Sequence, residues 1–357
     1  MTGIYNNSID ICNSMVLLST IPTTQQISGV NYLSNVRFKY LPTSTIYDLA
    51  QVYKINTTLV TTNPILKIYT NYNSTKTDIG YIFEKPTSGT ITSANVSNTT
   101  TTIDHGTGNN YTLIRISSAL TASPSSTTMV TYTNTVTVTG TVTAYIMVVG
   151  PGGYGAGGTG TSHYGGAGGG SVVVSTCNLT AGTYNVKLTS PNVLSATILS
   201  YSSITKSDNS INIKAPGGGS TIAGAGGTAG GSGYTTTGTT SYGLNGGDGG
   251  SDTIKTDSGN NGPNFPSDFN STISMPTNMT TAIPNGYYGS GGGSGGNNSK
   301  GGAPGTLLGG GLASSVANSL AATSATAYGC GGGCFKNTNF GGLGAFGVVY
   351  IYVDSYI

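Results

Sequence analysis

The sequence predicts an all-β protein in two parts, a sandwich-like β-rich domain over residues 1–124 and a glycine-rich β domain over residues 125–357. Charged residues are only 7% of the 357 residues, so Thr, Ser, Asn and Tyr must supply the polar surface. These residue types favour strands and turns over helices. Only 7 of the 58 glycines precede residue 150, which separates the two parts. Valine and threonine alternate over residues 135–142, as in a half-buried strand.

The N-terminal domain is predicted to be mostly strands, separated by Asn, Thr, Pro and Ser turns. Ile46, Leu49, Val52 and Tyr53 recur at helical spacing and predict one short helix over residues 45–55. A small sandwich or jelly roll is the natural architecture for such a domain. The predicted strands span residues 15–20, 36–41, 65–70, 81–84 and 111–117.

The glycine-rich domain begins near Pro124 with a strand that changes character along its length. From Tyr145 onward both of its faces are apolar, so the strand should enter a core just before the glycines begin. Strands 142–149 and 346–353 bracket all the glycine blocks, and their pairing would close the domain on itself, with polyglycine segments between them. Before Tyr145 the apolar residues keep to one face, which continues through Val136, Val138, Val142, Ala144, Ile146 and Val148. Further strands are predicted over residues 171–176, 184–189, 196–201 and 211–214.

Gly150, Gly152 and Gly155 fit the G-x-G-x-x-G pattern of a dinucleotide-binding turn. That turn needs a helix after its third glycine and an acidic residue about 20 positions further on. The next residues, AGGTGTSHYGGAGGG, disfavour a helix, because each glycine costs about 1 kcal/mol there. No acidic residue lies between Asp104 and Asp208. We therefore expect no cofactor.

Two other roles for the glycine blocks can be compared. A flexible tether would lack apolar interruptions, whereas tyrosines and the pair Leu307 and Leu308 interrupt these blocks. Alternatively, glycine chains can adopt the left-handed polyproline-II helix, which has three residues per turn. Without Cβ atoms such helices can approach until their backbone N–H and C=O groups bond between neighbours. The flanking strands would then frame the packing, because ordering glycine is entropically costly.

A series of motifs runs through residues 130–357. A Val/Thr strand is followed by VVGPGGYGAGG, GGAGGGSVVVSTCNLTAGTYNVKL, spaced glycine blocks and finally GGLGAFGVVYIYV. This series resembles the viral glycine-rich domain family, most specifically at residues 181–188 and 341–353. The family occurs in tail-fibre tip adhesins of T-even-like bacteriophages and in proteins of giant DNA viruses. The resemblance implies a sandwich of polyglycine-II helices, which in the phage adhesins carries receptor-binding loops. The Asn-, Ile- and Tyr-rich composition is similar to that expected from an AT-rich giant-virus genome.

No set of residues predicts catalysis, so we expect no enzyme. His105 follows Asp104, but no nucleophile can be assigned to them, and Asp-His-Gly is typical of a hairpin turn. Asp248, Asp252 and Asp257 are spaced loosely as in a calcium loop, yet the downstream bidentate Glu is missing. Ordinary turn carboxylates are the favoured interpretation, and no metal site is predicted.

The tyrosines that interrupt the glycine blocks are the best candidates for receptor contacts, because a ring with a hydroxyl suits glycan or protein recognition. The alternative is that these rings fill the space that residues without Cβ atoms leave open. The candidates are Tyr154, Tyr164, Tyr234, Tyr242, Tyr287 and Tyr288. Cys330 and Cys334 enclose three glycines. Free thiols, a disulfide and, least favoured, a metal site are the alternatives for this pair.

These features predict a non-enzymatic structural protein of a virion surface, as a fibre, spike or minor capsid component. A host-receptor-binding adhesin at a fibre tip and a self-assembling extracellular filament subunit are the alternatives. The 13 Lys and Arg residues are scattered, which disfavours nucleic-acid binding. We expect no membrane span, because no run of about 18 apolar residues occurs, and no signal peptide. The expected partners are other copies of the chain, other virion proteins, or a host-surface glycan or protein.

Overall fold

The structure, a computed structural model, consists of two compact units, Met1–Ser88 with Ser355–Ile357 and Gly89–Asp354. It describes residues 2–6, 9–10, 15–17, 37–40, 45–48, 66–72, 75–82, 91–95, 100–106, 111–118, 129–155, 157–158, 165–191, 200–220, 230–250, 259–292, 325–336 and 342–354.

Seven strands are described in the first unit: β1 (Thr2–Asn6), β2 (Ile9–Asp10), β3 (Met15–Leu17), β4 (Arg37–Tyr40), β5 (Thr45–Asp48), β6 (Leu66–Tyr72) and β7 (Thr75–Ile82). They form two antiparallel sheets, ordered β2-β1-β6-β7 and β3-β4-β5. The strands predicted over residues 15–20, 36–41 and 65–70 are confirmed in part. The helix predicted over residues 45–55 is wrong where the chain is described, because β5 pairs antiparallel with β4. Pairing of Thr45–Asp48 across this hairpin outweighs a weak helical spacing.

The described part of the second unit contains fourteen strands and one short helix. They are β8 (Ile91–Asn95), β9 (Thr100–Asp104), β10 (Tyr111–Ser117), β11 (Thr131–Val149), β12 (Gly157–Gly158), β13 (Val172–Thr189), β14 (Tyr201–Lys206), β15 (Asn212–Pro216), β16 (Thr235–Thr237), β17 (Thr240–Leu244), β18 (Asn264–Phe265), α1 (Thr277–Ala282), β19 (Gly286–Tyr287), β20 (Phe335–Lys336) and β21 (Val348–Asp354). Ten strands form one antiparallel sheet, ordered β16-β15-β14-β13-β11-β21-β10-β9, with β17 beside β13 and β8 beside β11. The all-β class is therefore confirmed.

The pairing of β11 with β21 closes this unit on itself, as the sequence predicts for strands 142–149 and 346–353. Ala144 pairs with Val353, and the register continues to the pair of Val149 and Val348. On its other side β21 pairs with β10, which in turn pairs with β9. The second compact unit starts at Gly89, whereas the change in composition predicts a glycine-rich domain from residue 125. The change in composition marks the start of the glycine segments, whereas the sheet that carries them begins earlier.

The large sheet bends across the middle of its two longest strands. The register of β11 against β13 shifts between Val138 and Thr141, and Gly140 between them has a φ of 73°. Such a bulge with a left-handed glycine sharpens the local twist and bends the strand. Tyr132, in the first half of β11, lies against Phe346, just before β21, with ring centroids 5.3 Å apart. The start of β11 therefore lies near the strand that pairs with its end. The sheet folds over at the bulge and forms a two-layer sandwich.

The inner core lies between these two layers. All six positions predicted to share one face of β11, Val136 through Val148, are buried in it. The core continues across both layers through Ile114, Val186, Ile204 and Ile351. The polar side chain of Asn134 is fully buried here, and its Nδ2 donates to Thr101 Oγ1 at 2.9 Å. That bond joins β11 in one layer to β9 in the other.

A second core covers the outer face of the layer that contains β21. Met147 and Val149 belong to it, which confirms that both faces of β11 become apolar before the glycines. An insert of residues 263–288, which carries α1, packs its apolar side chains onto this face. Phe269 is central, because its ring lies 5.9 Å from Tyr242 on β17 and 6.3 Å from Phe265 within the insert. The other insert residues in this core are Ile273, Met279, Ile283 and Tyr288.

Candidate functional site

The glycine segments form one packed body, the glycine lattice, at the edge where both layers end. Five strands of the sandwich, β11, β13, β15, β17 and β21, lead directly into it. We define the lattice as residues 150–155, 165–171, 216–220, 230–232, 245–250, 259–263, 288–292, 329–334 and 342–347. Most of its residues are buried. The lattice is therefore a continuation of the sandwich.

The central segment, residues 165–171, reveals how the lattice is built. Its N–H groups donate to three neighbouring segments in strict rotation, so donors three residues apart serve the same neighbour. The donor and acceptor pairs are Gly166 with Gly250, Gly169 with Gly247, Ala167 with Gly332, Gly170 with Gly329, Gly168 with Gly219 and Ser171 with Pro216, at 2.7–3.2 Å. A period of three is that of the polyproline-II helix and differs from the period of two in a strand.

The carbonyls of the central segment bind three further neighbours. Residues 150–155, 230–232 and 288–292 each donate at least one N–H to it, for example from Gly153 to Gly168 at 2.9 Å and from Gly231 to Gly169 at 2.7 Å. The segment is thus surrounded by six others. A buried backbone needs a partner for each polar group, and this arrangement supplies partners without a sheet ladder.

Close approach explains why these segments are glycine. A Cβ atom on Gly169 would overlap the carbonyl of Gly289, and one on Gly218 would overlap the carbonyl of Gly168. The obstructing atoms are backbone, so a rotamer change could not relieve the overlap. The packing therefore supports the extended, packed role for these glycine blocks.

The segment VVGPGGYG has the same role. Gly150 and Gly153 donate to Ser171 and Gly168, while Gly152 and Gly155 donate to Ala345 and Gly342, all at 2.8–3.1 Å. In a nucleotide-binding turn such N–H groups would point at phosphate oxygens. Here backbone carbonyls already occupy them.

Polar side chains also accept N–H groups within the lattice, in place of backbone carbonyls. Ser220 Oγ accepts the N–H of Tyr154 at 2.9 Å, and Asp248 Oδ1 accepts the N–H of Gly230 at 2.8 Å. Ser290 Oγ accepts a third N–H, that of Gly262, at 3.2 Å. Sequence reasoning missed these roles. The available indication was a single polar residue within a glycine run, as in GGGS and NGGDGG.

Two of the candidate tyrosines are buried. Tyr154 is 7% and Tyr288 is 6% exposed, so neither ring offers much surface to a partner. Burial raises the pKa of Tyr154 to about 12, and the neighbouring Tyr132 adds to the shift. Burial, followed by the nearby Tyr350, also raises the pKa of Tyr288, whose hydroxyl donates to the Pro284 carbonyl at 2.7 Å. Both rings fill space within the fold.

Three other candidate tyrosines keep part of their surface. Tyr234, Tyr242 and Tyr287 are half-buried. The ring of Tyr234 lies directly over Gly243, where a Cβ would overlap it, and the ring of Tyr242 meets Phe269 edge-on. The contacts of Tyr234 and Tyr242 fit the space-filling alternative for part of each of these two rings. Tyr164 lies outside the described residues.

Cys330 and Cys334 are buried thiols that are not joined by a disulfide, which corrects the possible pairing. The segment between them is extended, since Gly331 donates to Ser290, Gly332 to Gly153, and the carbonyls of Cys330 and Gly333 face residues 342–345. Four residues of polyproline-II chain span about 12 Å. A disulfide requires Cα atoms about 4.4–6.8 Å apart.

Buried thiols should resist alkylation in the folded protein. Burial raises the pKa of Cys330 to about 11 and that of Cys177 to about 12, so at pH 8 almost none of either is thiolate. We expect iodoacetamide at pH 8 to leave both residues unmodified until urea is added, as read by peptide mass spectrometry. Native labelling as fast as in urea would contradict the burial, and a recovered Cys330–Cys334 disulfide would contradict the extended segment.

The remaining candidate polar residues have local structural partners. Asp104 begins a hairpin turn in which its carboxylate accepts the N–H of Gly106 at 2.9 Å and the hydroxyl of Tyr111 at 2.8 Å. These two hydrogen bonds hold the pKa of Asp104 below its usual value. His105 Nδ1 lies 3.2 Å from Thr112 Oγ1. The Asp-His-Gly turn is thereby confirmed, while Asp252 and Asp257 lie outside the described residues.

Within the described ranges, no group of three or more His, Cys, Asp or Glu side chains is placed to hold a metal ion. No helix among them has the length and apolarity that a membrane-spanning helix requires. Comparison of the sequence with models of known protein families and with curated proteins yields no match.

Proposed function

We propose that the chain is a non-enzymatic structural protein of a virion surface, as a fibre, spike or minor capsid component. The observation that carries the proposal is the glycine lattice, in which a central segment is bonded to six neighbours. Such packing makes a stiff body from a chain that has few charges, and it leaves few backbone groups for ligand chemistry. The resemblance to the viral glycine-rich domain supports the viral setting.

Surface composition also supports a role in an assembly. Charged residues are 7% of the chain against about 25% in an average soluble domain. Exposed positions along β11 carry Thr137, Thr139, Thr141 and Thr143. A free monomer with so few charges has weak protection against association. Within a particle or fibre the same surface is an advantage, because little charge must be desolvated at contacts.

Location tests the proposal directly. We expect peptides of the chain in purified particles of the source virus, and we expect antibodies against the full recombinant chain to label intact particles without detergent. Antibodies against an internal virion protein, which should label only disrupted particles, are the control. Absence of the chain from particles, or labelling only after disruption, would exclude the surface role.

A receptor-binding adhesin is the second candidate, favoured by the partly exposed rings of Tyr234 and Tyr287. If the adhesin role holds, Tyr287→Ala and Tyr234→Ala should weaken binding of the recombinant chain to host cells by on the order of tenfold each. Tyr201→Ala is the matched control, since Tyr201 is also half-buried but lies on β14, outside the glycine blocks. Equal binding by all three variants would leave the structural role alone.

A further inference from the structure

Arg115, on β10, is a cation without a paired carboxylate among the residues that the structure describes. The side chain is half-buried, and its Nε is buried without a hydrogen-bond partner. The ion pair found in the described part of the chain joins Lys206 to Asp208 instead. Proteins normally pair a buried charge, because its desolvation is costly. The unpaired Nε of Arg115 therefore calls for an explanation.

Arg115 lies at the margin of the second core. Its register partners are Tyr350 on β21 and Thr102 on β9. Directly opposite residues share one face of a sheet, with Cβ atoms about 4.5–5.5 Å apart. Tyr350 is buried in the second core, whereas Thr102 is exposed. Arg115 thus lies between the covered part of the outer face and its exposed border.

Tyrosine hydroxyls lie near the guanidinium on the covered side. Burial raises the pKa of Tyr350, while the Tyr288 hydroxyl and then the charge of Arg115 act in the opposite direction. The charge of Arg115 also reaches Tyr288, and half-buried Tyr328 packs against the same core. Neutral phenol groups donate and accept hydrogen bonds but carry no negative charge. They can therefore line a site around Arg115 without neutralising it.

The carboxylates on the two neighbouring strands already have partners. Asp104 lies on the same face of β9, but its two carboxylate oxygens accept bonds within its own hairpin turn. Asp354, at the end of β21, accepts the hydroxyl of Tyr352 at 2.7 Å. Residues 119–128, which continue the chain beyond β10, contain no acidic residue. A molecule other than this chain is therefore the natural source of a counterion for Arg115.

We propose that Arg115 is the centre of a binding site for the carboxylate of an acidic sugar. The planar fork of a guanidinium matches the two oxygens of a carboxylate. One guanidinium balances the single charge of a carboxylate, whereas a phosphate monoester carries about −1.5 to −2 at pH 7. The uncharged hydroxyls of Thr102 and Tyr328 suit the ring hydroxyls of a sugar. An acidic protein surface would instead bring several charges to one cation.

The side-chain N–H signals of arginine test the site directly. The chain has two arginines, Arg37 and Arg115, so its nuclear magnetic resonance spectrum has two Nε–H signals, which Arg37→Lys assigns. We expect glucuronate added to the full recombinant chain to shift the Arg115 signal saturably, with half-saturation at about millimolar concentration. The Arg37 signal should not move. Glucose with sodium chloride at matched ionic strength is the control and should shift neither signal.

Two variants separate the guanidinium fork from charge alone. Arg115→Lys keeps the charge but loses the fork, so it should weaken glucuronate binding by on the order of tenfold. Ligand-observed saturation-transfer spectra measure this change, and near-ultraviolet circular dichroism verifies that the variants are folded. Lys214→Gln is the matched control, because it removes a half-buried cation that lies over Tyr201 on the other layer. It should leave glucuronate binding unchanged.

Four outcomes would overturn the proposal. They are an Arg115 signal that glucuronate does not shift, an equal shift with glucose and salt, a larger response to inorganic phosphate than to glucuronate, and an equal loss of binding in Arg115→Lys and Lys214→Gln. The proposal does not rest on the virion-surface role, because binding is measured on the purified chain. Its failure would leave that role untouched, and absence of the chain from particles would leave the site untouched.

Discussion

Replacing Gly169 by alanine is expected to lower the free energy of unfolding by more than about 4 kcal/mol. Gly169 lies in the central lattice segment, where its N–H donates to Gly247 at 2.9 Å and its carbonyl accepts from Gly231 at 2.7 Å. The new Cβ would overlap the carbonyl of Gly289. Hydrogen bonds hold the backbone of both clashing segments in place. The added methyl group must therefore push the two segments apart and break hydrogen bonds that hold them. Urea unfolding followed by near-ultraviolet circular dichroism of the tyrosines measures the change, since the chain has no tryptophan.

Gly233→Ala is the matched control. Gly233 has a φ of 73°, and nothing lies within 4 Å of a Cβ built on it. The same added methyl therefore meets only the cost of the left-handed conformation, about 1–2 kcal/mol. A Gly169→Ala variant that is no less stable than Gly233→Ala would contradict the packed lattice.

Removing the ring of Phe269 is expected to cost about 3–5 kcal/mol, as for other buried phenylalanines. The side chain is fully buried between the insert and the outer face of the sheet, against Tyr242 and Phe265. Phe269→Ala leaves a cavity that the strands cannot move to fill. The packing of the insert against the sheet is therefore weakened. Faster proteolysis within residues 263–288, together with the loss of unfolding free energy, reports this change.

Met129→Ala provides the reference for Phe269→Ala. Met129 is 43% exposed, so its truncation should change the unfolding free energy by no more than about 0.5 kcal/mol. Phe269→Leu, which retains much of the volume, should lie between the two. If Phe269→Ala behaves like Met129→Ala, the second core does not hold the insert.

Local patterns predicted five strands of the second unit, β10, β11, β13, β15 and β21, but did not identify β8, β9, β16 or β17. The successes arise because burial of one face of a strand produces an apolar residue at every second position. The face from Val136 to Val148 is the clearest case, and every predicted member is buried. The same logic failed at residues 45–55, where a few apolar residues at helical spacing lie partly on the strand Thr45–Asp48. A short stretch of sequence does not show whether a helical turn is more stable than pairing with another strand.

Long-range packing explains what the sequence reasoning missed. Tyr154 and Tyr288 interrupt glycine blocks and looked available to a receptor, yet the fold buries both. The insert that covers the second core has no periodic pattern that identifies its target. Likewise, Cys330 and Cys334 are near in sequence, but the extended path between them, which depends on bonds to residues 153, 290 and 342–345, keeps them apart.

The glycine content was sufficient to determine that backbones can approach without Cβ atoms and that the chain can take a helix of three residues per turn. It could not determine which segment bonds to which, because every glycine block offers the same donors and acceptors with the same period. The folded sandwich determines which segments bond, because the ends of its strands place the glycine segments side by side in a fixed order. Thus Gly152 bonds to Ala345, nearly two hundred residues away, because β11 and β21 are paired neighbours in the sheet.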